Sequence, residues 1–230
     1  YIGIFSFTFI WSNNFDFINE ELLFTAGFRY LPAGHAKLFF SVDSLNGEAL
    51  YKLTTSIESN SFLDKFYIIR DEIQSWLKLE NLSLIKTIQK IREGNYKKNY
   101  EVLIKGDSLA ISNNKIRKIP GEVYDPIAFV YYLRKQNLKI GDSYNFFSYS
   151  KKKIKEIVVS ITALETIQVS AGTFNCLKIE PNSKKNSPIL KNEGKLKVWL
   201  SNDSLKLPIM IEQETNIGTM VMKLKKVNNK

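Results

Sequence analysis

Between residues 165 and 224 apolar and polar residues alternate on either side of marked turns, and this restricts the fold more than any other part of the chain. In the run Lys195-Leu196-Lys197-Val198-Trp199-Leu200, side chains project to opposite faces every second residue. Leu196, Val198 and Leu200 therefore share one face, and Lys195, Lys197 and Trp199 share the other. Ser201-Asn202-Asp203-Ser204 follows, with short polar side chains that bond the local backbone and tolerate left-handed dihedrals. Leu205, Leu207, Ile209 and Ile211 then resume the apolar face, with Lys206, Met210 and Glu212 opposite. Alternation kept across a tight turn predicts an antiparallel hairpin packed on a core by one face. Pro208 lies inside the second strand, where its missing N–H implies an edge or a bulge.

Similar texture extends through most of the chain. Phe24, Ala26, Phe28 and Tyr30 alternate against Thr25, Gly27 and Arg29, and Pro32-Ala33-Gly34 is expected to turn the chain into a returning strand that begins at His35. Asn46-Gly47 is a favoured hairpin dipeptide. In residues 61–85, Phe62, Leu63, Phe66, Ile69 and Ile73 fit a helical stripe while Phe66 to Trp76 fits a strand equally, the favoured reading being a short helical turn followed by strands, and Glu93-Gly94-Asn95 separates two further strands. One segment reads differently. Asp125-Pro126 has the form of a helix N-cap with proline in the first turn. Ile127, Phe129, Val130 and Leu133 follow at helical spacing, with Arg134-Lys135 placed to complement the C-terminal dipole. Strands resume from Ser143, and the last is expected to run from Thr219 to Leu224 before a fraying tail at Asn228-Asn229-Lys230. The expected fold is mainly β: a large antiparallel sheet of consecutive hairpins, curled or partly open as a barrel, with one helix near 126–136.

At 230 residues, with 44% hydrophobic and 13% aromatic content, the chain can bury a sizeable core, and residues 15–230 are read as one mainly-β domain. The run Tyr1-Ile2-Gly3-Ile4-Phe5-Ser6-Phe7-Thr8-Phe9-Ile10-Trp11 has the length of a signal-peptide hydrophobic region, is too short to span a bilayer as a helix, and is followed by polar residues. Residues 1–14 are accordingly read as a truncated export signal, the competing reading being a first β-strand. No stretch is long enough for a transmembrane helix. A net charge of +10 invites an anionic partner. The lysines are spread along the chain, however, and accompany the Asn and Ile content of an AT-rich genome. The two clusters, Lys151-Lys152-Lys153-Ile154-Lys155 and Lys223-Leu224-Lys225-Lys226, lack the aromatic interleaving of a base-stacking platform. That speaks against nucleic acid and leaves lipid or another envelope polyanion.

A single cysteine, Cys176, and a single histidine, His35, exclude an intrachain disulfide, a paired-thiol redox site and a cysteine-rich zinc site. No metal or cofactor is expected. Cys176 sits in a strand interior, the setting of a buried structural thiol rather than a nucleophile, and His35 is expected at the surface of a hairpin tip. Asp71, Glu72, Glu93, Asp125 and Asp203 could pair for acid–base work, but each has a structural explanation at a turn, cap or ion pair. No nucleophile elbow, phosphate-binding glycine loop, zinc-protease or dinucleotide motif occurs, so no catalytic residue is assigned. The candidate ligand-binding residues are Lys195, Lys197, Trp199, Lys206 and Met210, on the face opposite the aliphatic one. If the sheet curls, that face lines a groove for an amphipathic ligand with an anionic head.

Several segments in order resemble a known family: Phe24-Thr25-Ala26-Gly27-Phe28-Arg29-Tyr30, Gly34-His35-Ala36, Tyr131-Tyr132-Leu133-Arg134, the run from Gly172-Thr173-Phe174 to Pro181, and the run from Gly194 to Asp203. Together they are similar to the exported bacterial proteins grouped as domain of unknown function 3108. The resemblance implies export to the periplasm or envelope and a mainly antiparallel β fold, and supplies no catalytic residues. The expected function is that of an exported, non-enzymatic envelope protein that binds an amphipathic or anionic component or a protein partner. The alternatives are a carboxylate-based hydrolase acting on envelope glycans and a structural module of an envelope assembly.

Overall fold

The structure is a computed structural model that describes residues 17–28, 31–106, 108–112, 115–150, 153–183, 196–215 and 218–229. The expected export segment at residues 1–14, with its alternative as a first strand, lies outside these.

Two up-and-down meanders make the fold. The first comprises β1 (Glu20–Phe28), β2 (Leu31–Leu45), β3 (Glu48–Ser59), β4 (Arg70–Leu77), β5 (Leu84–Glu93), β6 (Tyr96–Lys105), β7 (Leu109–Ser112) and β8 (Lys115–Lys118). A two-residue strand, β9 (Val123–Tyr124), and the helix α1 (Pro126–Arg134) lead into the second. It runs through β10 (Ser143–Ser150), β11 (Lys153–Val169), β12 (Gly172–Ser183), β13 (Leu196–Ser201), β14 (Pro208–Thr215) and β15 (Gly218–Asn229). Pairing of β1 with β15 fuses the meanders into one fifteen-stranded sheet whose two end strands are β8 and β9. Every ladder is antiparallel except the short parallel contact of β9 with β10.

The topology itself requires curling. Fifteen strands laid flat at the usual spacing would separate β8 from β9 by roughly 65 Å. Residues 119–122 are all that join these strands, and such a connection reaches about 18 Å at most. The sheet must bend round until its ends nearly meet, which is the curled, partly open barrel expected from the hairpins.

Local chemistry accounts for most elements. Asn46 and Gly47 both have positive φ, 54° and 85°, the geometry that matches a two-residue hairpin to strand twist. A single 3₁₀ turn, Leu63–Lys65, precedes β4 as expected. Asp125 caps α1, its carboxylate accepting from the N–H groups of Ile127 and Ala128. The expected turn at Pro32-Ala33-Gly34 needs correction: those residues lie inside β2, with Ala33 unopposed by β1 at a bulge between the Ala26–Gly34 and Gly27–Pro32 pairs. Gly34 serves close approach instead, since a Cβ there would sit 2.0 Å from the Glu58 carbonyl oxygen of β3. His35 is correspondingly mid-strand and exposed, 3.5 Å from Glu58, rather than at a hairpin tip. The expected fraying tail is also corrected: β15 continues to Asn229, which pairs with Glu20.

Two apolar clusters form the core. The larger draws Leu22, Phe24, Phe40, Leu53, Leu77, Leu84, Val102 and Ile104 from the first meander together with Tyr149, Cys176, Trp199, Met210 and Leu224 from the second. The smaller joins Phe146, Ile157, Val159, Ile161, Leu177, Ile179, Val198, Leu200 and Ile211 with Phe129 and Leu133 of α1. The helix belongs to both, because Ala128 and Tyr131 enter the larger cluster. It is tied to both halves of the sheet: Asp125 accepts from Ser75 of β4, Arg134 pairs with Glu20 of β1, and Phe129 stacks on Phe146 of β10.

Bulges decide which face each strand gives to which cluster. Opposite Trp199 and Leu200 stand Met210 and Pro208, so Ile209 is an extra residue and the face changes there. Leu207 and Ile209 join Met210 in the larger cluster, Ile211 turns to the smaller one, and Leu205 is left 55% exposed. This corrects the single alternating face expected for residues 205–211. Thr162 does the same in β11, where Ile157, Val159 and Ile161 face one cluster and Ile167 and Val169 the other. Pro208 thus marks a bulge, the second of the two settings its missing N–H implied.

Candidate functional site

Two of the expected ligand residues, Trp199 and Met210, are packed into the larger apolar cluster. Trp199 is 4% exposed and its indole N–H donates to Glu165 at 2.8 Å. Glu165 in turn lies 3.6 Å from Lys178, the residue opposite Trp199 on β12. Met210 is 9% exposed. Lys197 is engaged with Glu214 and Glu212, at 3.8 and 4.0 Å. Lys206 sits in the turn before β14 with a positive φ of 45°, and Lys195 lies outside the described residues. The structure therefore brings Trp199, Met210 and Lys197 together as a packed, ion-paired wall, and the four described residues are not among those lining the two clefts described next.

Those clefts open along the seam where the sheet ends approach one another. The larger, about 380 Å³, is lined by Arg117 and Lys118 of β8, Tyr149 of β10, and Lys153, Ile154 and Lys155 of β11. Four cations thus surround a floor made by the buried Tyr149 ring and the half-buried Ile154. Tyr149 and Ile154 are opposite one another where β10 turns into β11, so they share the face of the sheet that packs on the larger cluster, and Lys153 and Lys155 take the other. Burial holds the Lys155 ammonium below its ordinary pKa, and Lys153 beside it adds to the effect. The Tyr149 hydroxyl is pushed above its ordinary value by burial, against the pull of Arg117. Concentrated positive charge with partial desolvation is the electrostatic form of an anion site. The basic run 151–155 already stood out in the sequence. What the sequence did not show was Arg117 and Lys118, about 35 residues earlier, across the seam from it.

The smaller cleft, about 330 Å³, is lined by Pro120, Gly121, Glu122, Tyr124, Asn145, Phe146, Phe147 and Glu156. It holds two carboxylates that the sequence reading did not single out. Glu122 accepts from Lys78 and Asn81, at 3.3 and 2.7 Å. Of the carboxylates it did single out, Asp71 and Glu93 both lie near Tyr67, and the others take structural roles. Asp125 caps α1, and burial pushes its pKa up despite three hydrogen bonds. Asp203 closes its turn, accepting from the Ser201 hydroxyl and the N–H groups of Leu205 and Lys206. Asp71 accepts from the Arg92 N–H, and Glu72 from Gln74.

Cys176 is fully buried, and burial first, then Asp203 and Glu165, push its thiol up to about 11. That is the reverse of what a nucleophilic cysteine needs. Among the described residues, no group of three or more histidine, cysteine, aspartate or glutamate side chains gathers as a metal site. No described helix is long and apolar enough to cross a membrane.

A family described as "Protein of unknown function (DUF3108)" matches residues 23–225. Among solved structures, a β-barrel-like protein of domain of unknown function DUF1849 from Brucella abortus shares the fold, with a TM-score of 0.60 over 92% of this chain and 97% of that one at 8% identity. Looser likenesses are found to a candidate exported protein with a YmcC-like fold from Bacteroides fragilis, at 12% identity over 92% and 96% of the two chains with a TM-score of 0.35. A candidate lipoprotein from Parabacteroides distasonis shows 11% identity over 92% and 95%, with a TM-score of 0.33. No curated protein matches this chain.

Proposed function

The chain belongs to the DUF3108 family, and from that premise we propose that it is an exported cell-envelope protein that works by binding, with the basic seam cleft as its site for an anionic envelope component. The cleft carries the reading: Arg117, Lys118, Lys153 and Lys155 converge from strands at opposite ends of the sheet on one cavity. Charge scattered by genome composition has no reason to converge in this way. Export rests on the apolar run at residues 1–11 and on the family resemblance. The apolar floor at Tyr149 and Ile154 suits a ligand with an apolar portion next to its charge.

The test is titration of the folded protein with soluble polyphosphate and, separately, with phosphatidylglycerol vesicles against phosphatidylcholine vesicles. Binding is expected to weaken as salt rises, because the contacts are charge-dominated. Replacing Lys118→Glu together with Lys153→Glu, both exposed, should reduce it by about tenfold or more. Unchanged binding in that variant would remove the cleft from consideration. Recovery of the native protein from the cytoplasmic rather than the envelope fraction would sink the export half of the proposal.

One observation supports a second reading, a carboxylate hydrolase: Glu122 and Glu156 line the same smaller cleft. Turnover of envelope glycans that is abolished by either Glu122→Gln or Glu156→Gln would replace the binding reading with this one.

A further inference from the structure

We propose that the end of the sheet carrying the β3–β4 connection docks on an anionic phospholipid bilayer, with Phe62 and Phe66 entering the headgroup region. This face is separate from the seam cleft, and the inference does not rest on the anion site.

The connection, residues 60–69, holds its large apolar side chains outward. Phe66 is 76% exposed, Phe62 59% and Tyr67 45%, and Leu31, at the start of β2 on the same end of the sheet, is 64% exposed. Phe62 and Phe66 flank the 3₁₀ turn with their ring centroids 5.8 Å apart, edge to face. Single exposed apolar residues are ordinary on a protein surface, whereas a group gathered in one loop marks an interaction face.

The polar groups of the loop are bound into the fold. Asn60 donates to the Pro32 carbonyl through its side chain and to the Ala33 carbonyl through its N–H, which ties the loop to β2. Asp64 pairs with Arg70 at the start of β4, and the Ile69 N–H donates to the Ser59 hydroxyl at 2.7 Å. On the other side the Gly94 N–H donates to the Ile68 carbonyl. Tyr67 lies so close over Gly94 that a Cβ there would sit 2.6 Å from its ring. A loop fastened to β2, β4 and the β5–β6 turn has its phenylalanines set outward in advance, so little ordering entropy is lost when they bind.

Charge and area together name the occupant. The acids at this end are engaged within the fold: Asp64 with Arg70, Glu58 with His35, and Asp71 with the Arg92 N–H. Glu93 is half-buried beside Tyr67. Lys65, between the two phenylalanines, is exposed, as are Lys97 and Lys98 just after the β5–β6 turn. Aromatic rings among lysines match a surface that is anionic outside and apolar beneath. At roughly 200 Å² for a whole aromatic side chain, the exposed part of the patch comes to about 500 Å². A stable protein interface takes about 800 Å² from each partner. A bilayer sets no such requirement, because a few inserted side chains act together with electrostatic attraction.

The experiment is co-sedimentation of the folded protein with phosphatidylglycerol vesicles and with phosphatidylcholine vesicles, alongside titration with polyphosphate. The wild type should prefer phosphatidylglycerol. Phe62→Ser combined with Phe66→Ser should weaken vesicle binding by at least about tenfold. It should leave polyphosphate binding unchanged, because that anion has no apolar interior to enter. Both side chains are exposed, and a second variant guards against misfolding: the Phe66→Trp protein, measured as a difference from the wild type, should show blue-shifted emission on phosphatidylglycerol vesicles and quenching by brominated acyl chains. Unchanged vesicle binding by the double serine variant would overturn the membrane face and leave the seam cleft to be judged by polyphosphate. Absence of quenching in the Phe66→Trp protein would do the same. Self-association of the wild type that disappears in the double serine variant, without vesicle binding, would assign the patch to a second copy of the chain and overturn the proposal equally.

Discussion

Arg134 carries its charge into a place closed to water. Its guanidinium makes paired bonds to the Glu20 carboxylate at 2.6 and 2.8 Å and a third bond to the Leu205 carbonyl at 3.1 Å. It also lies over the rings of Phe17 and Tyr131. Both charged side chains are almost wholly buried, at 1% and 7% exposure. A buried pair of this kind is costly to break, because the surviving charge has no solvent to return to. Arg134→Ala is expected to lower unfolding free energy by about 3–5 kcal/mol. The double replacement Arg134→Met with Glu20→Leu should cost less than either single change, since no isolated charge remains. Urea denaturation of the three variants measures this, and strictly additive losses would show that the two residues do not act as a unit. The sequence placed Arg134 at the end of a helix, where it complements the dipole. Only its partner, more than a hundred residues away, turns it inward.

Among the elements, α1 shows how a local rule can hold while its setting changes. Asp125 accepts from the N–H groups of Ile127 and Ala128, at 2.9 and 3.2 Å, and from the Ser75 hydroxyl at 3.3 Å. Asp125→Ala should lower stability by about 1–2 kcal/mol through loss of the cap. Asp125→Asn should retain most of it, because the amide oxygen can accept the same bonds without a desolvated charge. The sign of the pH dependence separates the two effects. Burial raises the native pKa above the ordinary 3.8, so the native state holds its proton longer than the unfolded chain does. Wild-type stability from this group falls as pH rises from 3.8 to the raised value. Asp125→Asn lacks that dependence and should gain on the wild type across the same interval in chemical denaturation.

For the whole molecule, acid and alkaline behaviour have different origins. Asp43 is held below 3.8 first by the Ser44 N–H, then by Lys52 and Trp76, and Asp64 first by Arg70, then by Ser59. Their stabilisation is complete above 3.8 and is lost as pH falls through the lowered native values. At the alkaline end Lys155 has a lowered native pKa, from burial first and Lys153 second. Its protonated form is disfavoured in the fold, so stability from this group rises with pH over the interval below 10.5, while the cation needed for binding is lost there. Polyphosphate affinity should therefore begin to decline at a lower pH than an ordinary lysine would allow. Lys155→Arg should move that decline upward, because guanidinium keeps its charge. Titrations across the alkaline range test this, and coincident curves for wild type and Lys155→Arg would show that Lys155 does not control binding.

What the sequence determined by itself is what neighbours along the chain can enforce. Alternation predicted strands, Asn46-Gly47 a hairpin, and Asp125-Pro126 the start of the helix, because turn dihedrals, caps and side-chain period are local. Tertiary structure alone decided the rest. An extra residue at Ile209 reversed the expected face of residues 205–211. Pairing of β1 with β15 secured a tail expected to fray. The curl of the sheet brought Arg117 and Lys118 to the same cleft as Lys153 and Lys155. Bulges and sheet closure follow from pairings between distant strands, and alternation along one strand carries no information about where those pairings slip or end.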